Sequence, residues 1–179
     1  MKDSSQFLIG ADVIALMIKA QHPMIMVDRI IDYTTSQQQM FGKCYVSAND
    51  PVFTGHFPNL KLWPGIHTIE GLRQCCELHM VLIQLEKGNL LDGIIALQNR
   101  QMLQPNIDKD LCKRVLQTLK DINNQEPSSV TLRIKLLAPV FAGCVINYQV
   151  QLMSNEQKWS VEAQVNGQKV AKGEIIIQK

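Results

Sequence analysis

The sequence predicts an α+β fold in which one long helix is wrapped by an antiparallel sheet. Three observations carry this. A helical stretch opens at Pro64-Gly65 and runs past Leu85, apolar on most of its circumference. From Val130 onward, apolar and polar residues alternate with a period of two, and Asn166-Gly167 interrupts them with the sequence of a type I′ hairpin turn. A helix apolar nearly all round has to be covered by other structure. Strands that alternate in this way have one buried and one wet face, as in an antiparallel sheet, and helix and sheet together make a layer pair.

The elements follow in chain order. Asp12–Gln21 reads as a short amphipathic helix capped by Asp12 and ended by Pro23. Val27–Tyr33 and Met40–Val46 read as strands around the polar tetrad SQQQ. The Pro- and Gly-rich loop NDPVFTGHFPNLKLWPG leads into the long helix, with Pro64 suited to its first turn. On that helix one stripe comprises the apolar residues 66, 69, 72, 76, 80 and 83, and a second comprises 75, 78, 82 and 85. Residues 88–128 form an extra segment: Gly93–Gln104 reads as a strand, Asp108–Ile122 as an amphipathic helix with an Asp cap, and NNQEPSS as a loop. Four strands close the chain. Val130, Leu132, Ile134 and Leu136 supply the dry face of the first, Ile146–Leu152 and Trp159–Val165 alternate likewise, and Val170–Ile177 is the last.

Length and composition set the outer limits. At 179 residues a single domain spanning 1–179 is expected, and 46% hydrophobic residues exclude a disordered chain. The first residues, MKDSSQFLIGADV, read as neither a signal peptide nor a membrane span. A net charge of +2 with basic residues scattered singly argues against a nucleic-acid partner. Five cysteines without a CxxC point to reduced thiols in the cytoplasm and to no metal site.

Chemistry concentrates between Asp50 and Gln74. His56 sits in a Gly-His-Phe-Pro turn, Pro64-Gly65 starts the helix, and Glu70 and Gln74 share a helix face with Ile66 one turn earlier. A carboxylate on a largely apolar helix is costly to bury unless it is paired or protonated. Dehydration of a 3-hydroxyacyl thioester gives these groups work. It needs a base for the C2 proton, which histidine suits, and an acid for the C3 hydroxyl, which a carboxyl with a raised pKa suits. It also needs donors at the thioester oxygen, which the helix start around Gly65 offers.

At these residues the chain resembles the 3-hydroxyacyl-acyl-carrier-protein dehydratases of FabZ type. The resemblance rests on HPMIMVDRI (22–30), DPVFTGHFP (50–58), WPG (63–65), and Glu70 with Gln74. It resumes at Ala138-Pro139-Val140 and Gly143 in the closing strands. It implies a hot-dog fold, a homodimer or higher homo-oligomer, and His56 and Glu70 as catalytic base and acid. Gly65, Gln74, Phe57 and Ile66 are expected beside them as oxyanion and substrate-binding residues. It also implies an acyl carrier protein as partner, a substrate on that protein's phosphopantetheine arm, and no separate cofactor. Glu70 in place of the sister type's aspartate favours simple dehydration, in a fatty-acid- or polyketide-like pathway. Asn-Leu-Lys-Leu-Trp between Pro58 and Pro64, His22 in place of a tyrosine, and His67 and Arg73 on an otherwise apolar helix depart from the pattern and point to a specialised substrate.

Other readings stand beside this one. Arg73, three residues after Glu70, can pair with it and hold it ionised, the wrong state for an acid. His67 and His79 read as packing residues, and Arg133 and Lys135 as the wet face of a strand. A hot-dog thioesterase would use the helix acid without needing His56, and a non-catalytic protein binding acyl chains or carrier proteins would need neither residue.

Overall fold

The chain starts each element close to where its local chemistry directs. The computed structural model describes residues 9–57, 59–101, 103, 108–125, 129–154 and 157–178. In order these form β1 (Ile9–Gly10), α1 (Ala11–Met17), β2 (Arg29–Thr34), β3 (Gln39–Tyr45), α2 (Gly65–Lys87), α3 (Leu91–Gln101), α4 (Lys109–Asn123), β4 (Ser129–Leu136), β5 (Val145–Ser154), β6 (Lys158–Val165) and β7 (Gln168–Gln178). The strands make one antiparallel sheet in the order β1-β2-β3-β5-β6-β7-β4, curled around α2. A long helix wrapped by an antiparallel sheet is the hot-dog arrangement, an α+β fold. Asn166 and Gly167 take φ of 50° and 80°, as a type I′ turn requires, and join β6 to β7.

The core lies between α2 and the sheet. Leu72, Cys75, Leu78, Leu82 and Leu85 are fully buried on the helix, against Tyr148, Val150, Trp159 and Ile175 of the strands. At Gly71 the helix lies so close to the sheet that a Cβ would overlap the hydroxyl of buried Tyr148. Further along α2, the indole Nε1–H of Trp159 donates to Nδ1 of His79 at 3.0 Å, tying the helix to β6. Burial lowers the pKa of His79 to about 4, with Glu86 opposing weakly, so the imidazole is neutral and accepts this bond. His79 is therefore a packing residue.

Several sequence expectations are corrected. Asp12 does not cap α1: the helix starts at Ala11 behind Gly10, makes no side-chain cap bond, and ends at Met17. Pro64 is the N-cap of α2 and precedes its first turn. The strand expected within 93–104 is instead α3, because Leu90, Ile94 and Leu97 turn together into the core at helical spacing. α4 matches its expected span, with Asp108 Oδ1 accepting from the amides of Asp110 and Leu111. β4 lacks the fully buried face expected of it: Val130, Leu132 and Leu136 are 38–52% exposed and only Ile134 packs on the core, because β4 is the sheet's edge strand. The loop NNQEPSS falls partly, and the first eight residues wholly, outside the described residues.

Gly71→Ala tests the helix–sheet approach. Forcing a methyl against Tyr148 should lower stability by about 1–3 kcal/mol, measured by urea unfolding. An unchanged midpoint would mean that α2 does not lie this close to β5.

Candidate functional site

His56 follows a short 3-10 turn, Pro51–Thr54, whose cap is Asp50: its Oδ1 accepts from the amide of Val52 at 2.9 Å. The imidazole Nδ1 lies 2.8 Å from the carbonyl oxygen of Leu62. A carbonyl can only accept, so Nδ1 carries the proton and Nε2 keeps the lone pair of a base. Phe57 stacks on the ring at 4.6 Å. Together His56 and Phe57 line a cavity of about 480 Å³ with Gly65, Thr68 and the β4–β5 connection around Pro139. The start of α2, the positive end of the helix, therefore borders the space beside His56. Pro58 of the turn is outside the described residues.

Glu70 is held elsewhere. Arg73 grips its carboxylate with two bonds, Nη2 to Oε1 at 2.7 Å and Nε to Oε2 at 2.8 Å, and reaches Glu77 at 3.1 Å. Gln74, fully buried, donates from Nε2 to Glu70 Oε1 at 2.8 Å and to the Met24 carbonyl at 2.7 Å, while its Oε1 accepts from the Met26 amide at 2.8 Å. Every polar atom of that amide is thus used in fixing Glu70 against the 24–26 segment. Partial burial raises the Glu70 pKa, but the bonds from Arg73 and Gln74 and the guanidinium charge outweigh it and leave the group below the usual carboxylate range. The raised pKa expected from the sequence is therefore corrected: the ion pair decides.

Geometry separates the two halves. Each residue turns a helix by about 100°, so Glu70 lies about 140° around α2 from Gly65 and about 160° from Thr68. Glu70 does not line the His56 cavity. His56, Phe57 and Gly65 are brought together, and so are Glu70 and Gln74. Ile66 belongs to neither group; it points outward and is 64% exposed. His67 lies edge-on to Trp63, with ring centroids 5.0 Å apart, and both line a further cavity with His22 and Asp28. Leu62 was not singled out from the sequence, and the β4–β5 connection stood out there only through Ala138-Pro139-Val140 and Gly143, as part of the resemblance and not of the site. The part of both depends on topology that brings distant backbone to the helix start.

All five cysteines are thiols, four of them buried. Among the described residues, no helix is long and apolar enough to cross a membrane.

Comparison with known proteins gives the family. The FabA-like domain family matches residues 18–109, and the chain belongs to that family. It is 31% identical over 126 residues to the 3-hydroxyacyl-acyl-carrier-protein dehydratase FabZ of Clostridioides difficile, covering 70% of this chain and 80% of that one. With the protein of the same name from Rhizobium rhizogenes it shares 41% over 111 residues, covering 61% and 69%. With that from Methylobacterium nodulans it shares 29% over 184 aligned positions, covering 98% and 92%.

The Glu70 ion pair carries a pH signature. A carboxylate whose pKa is depressed on folding adds stability above its unfolded value, near 4.5, and loses it as pH falls through the folded value. Wild type should exceed Glu70→Gln in unfolding free energy at pH 7, and the gap should close as pH falls below 4.5. A gap independent of pH would deny the pairing.

Proposed function

We propose that this protein dehydrates a 3-hydroxyacyl thioester carried on an acyl carrier protein, giving the trans-2-enoyl thioester and water. The observation that carries the reading is the Leu62 carbonyl bond, which leaves a basic Nε2 on His56 in a cavity that also holds the start of α2. The printed activity of the FabZ relatives supports it.

The chemistry follows from the groups. His56 Nε2 removes the C2 proton. The electron pair moves onto the thioester oxygen, where the first-turn amides at Gly65 stabilise the negative charge. The enolate then collapses and expels the C3 hydroxyl, which takes a proton from Glu70 and leaves as water. Glu70 ends as the carboxylate that Arg73 and Gln74 hold, and His56 as imidazolium; proton exchange through solvent resets both. Arg73 lowers the share of Glu70 in its acid form and strengthens that form as a donor, because donation restores the ion pair.

The base and acid that meet one substrate come from two copies of the chain. Their positions on opposite sides of α2 support this, as does an apolar surface along β4 and the start of α2. Ile66, Leu132, Leu136 and Leu137 are 43–64% exposed there, next to an unpaired strand edge. A homodimer joined along β4 would cover them. Phe57 and Ile66 then face substrate and partner subunit, and Gln74 acts by orienting Glu70. The step needs no cofactor, and reduced thiols fit a cytoplasmic enzyme.

Incubation with a 3-hydroxyacyl thioester and, separately, its enoyl product tests the reading. Interconversion is expected, with His56→Asn and Glu70→Gln each losing about a hundredfold or more in rate while retaining wild-type circular dichroism. Release of free thiol without the enoyl product would make the protein a thioesterase, and binding without turnover would make it a carrier.

A further inference from the structure

Arg73 holds two carboxylates at once. Its Nε and Nη2 bind Glu70 at 2.8 and 2.7 Å, and its Nη1 binds Glu77 at 3.1 Å. The arginine side chain is only 26% exposed, so the guanidinium relies on these anions more than on water. In the proposed reaction Glu70 gives a proton to the C3 hydroxyl and must first be uncharged. Protonating Glu70 removes the nearer of the two anions and leaves Glu77 at the longer distance.

The surroundings do not replace the lost charge. Arg73 and Glu77 border a cavity of about 350 Å³, and the other charged residue lining it is a cation, Lys19. Its remaining polar lining comes from the amides of Gln84, Asn123 and Gln125, the last two supplied by the extra segment 88–128. Once Glu70 is a neutral acid, two cations of this lining face one anion. Such a site favours a further anion, and amide N–H groups can donate to one.

We infer that Arg73 selects a substrate whose acyl chain carries a carboxylate one or two methylenes beyond C3, and that this carboxylate takes the place of Glu70 on the guanidinium. The inference rests on the dehydratase reading, which puts C3 beside Glu70. Arg73 nitrogens lie within 2.8 Å of the Glu70 oxygens, so a carboxylate that close to C3 reaches the planar fork. Charge balances in the exchange: the substrate brings an anion, and Glu70 takes up a proton from solvent and becomes the acid that the reaction needs. A neutral chain offers Arg73 nothing and leaves Glu70 paired. The ion pair that opposes the acid role in the free chain thus discriminates against the wrong substrate.

The test uses the full chain and pantetheine thioesters in two matched pairs. Each sets a carboxylated chain, 3-hydroxyglutaryl or 3-hydroxyadipyl, against its methyl-ended counterpart, 3-hydroxypentanoyl or 3-hydroxyhexanoyl. The carboxylated member should have a kcat/KM higher by about tenfold or more, as a charge-assisted fork provides. Arg73→Gln should abolish this preference, and Arg73→Lys, which keeps the charge without the fork, should fall between. Equal turnover of both members by the wild type would overturn the inference, as would a preference that survives Arg73→Gln with wild-type circular dichroism. Full rescue of the neutral chains by added glutarate would overturn it too, since the anion would then be a separate ligand. If the wild type turns over none of the four, the dehydratase reading fails, and calorimetry decides the role of Arg73. Glutaconyl pantetheine, the enoyl product of the 3-hydroxyglutaryl thioester, is titrated at neutral pH in buffers of different ionisation enthalpy. Binding with proton uptake in the wild type and without it in Glu70→Gln upholds the exchange. No binding, or binding without uptake, removes it.

Discussion

The rotational setting of α2 inside the sheet governs everything else in this protein. Leu72, Cys75, Leu78, Leu82 and Leu85 must all be buried, and Gly71 must face Tyr148 with no side chain between. Those demands leave the helix little freedom to turn about its axis. With α2 so fixed, Gly65 and Thr68 face the His56 turn, and Glu70, Arg73 and Glu77 face away from it. The separation of His56 from Glu70 in one chain is a direct consequence of core packing, and it gives the exposed apolar edge of β4 its place in the account.

Arg73 is the residue that most changes the chemistry. A carboxyl in apolar surroundings would stay protonated on desolvation alone, but a bidentate guanidinium at 2.7–2.8 Å reverses the outcome. Gln74 adds rigidity, since its amide is bonded at both ends and ties Glu70 to the Met24–Met26 backbone. The carboxyl is held in one orientation, with its ionised form favoured.

Much of this was legible in the sequence, for physical reasons. The long helix announced itself through apolar residues on most faces and a Pro-Gly start, and the closing strands through a period of two and an Asn-Gly turn. His56, Glu70 and Gln74 stood out as polar groups among apolar neighbours. Three things were hidden. α3 looked like a strand because Ile94 and Ile95 are β-branched within a short apolar run, and only packing against α1 and α4 settles the period. The exposure of β4 depends on its place at the sheet edge, which alternation does not encode. Whether Glu70 pairs with Arg73 depends on rotamers, so the sequence left ionised and protonated forms both open.

The central claim is that one working site draws His56 from one subunit and Glu70 from another. Co-refolding His56→Asn chains with Glu70→Gln chains tests it most directly, since neither chain alone holds both groups. A shared site requires that each heterodimer contain one fully intact pair, so dehydration should reappear in the mixture, approaching about a quarter of the wild-type rate for random pairing. A mixture shown by native mass spectrometry to contain heterodimers, yet no more active than the separate mutants, would contradict the account.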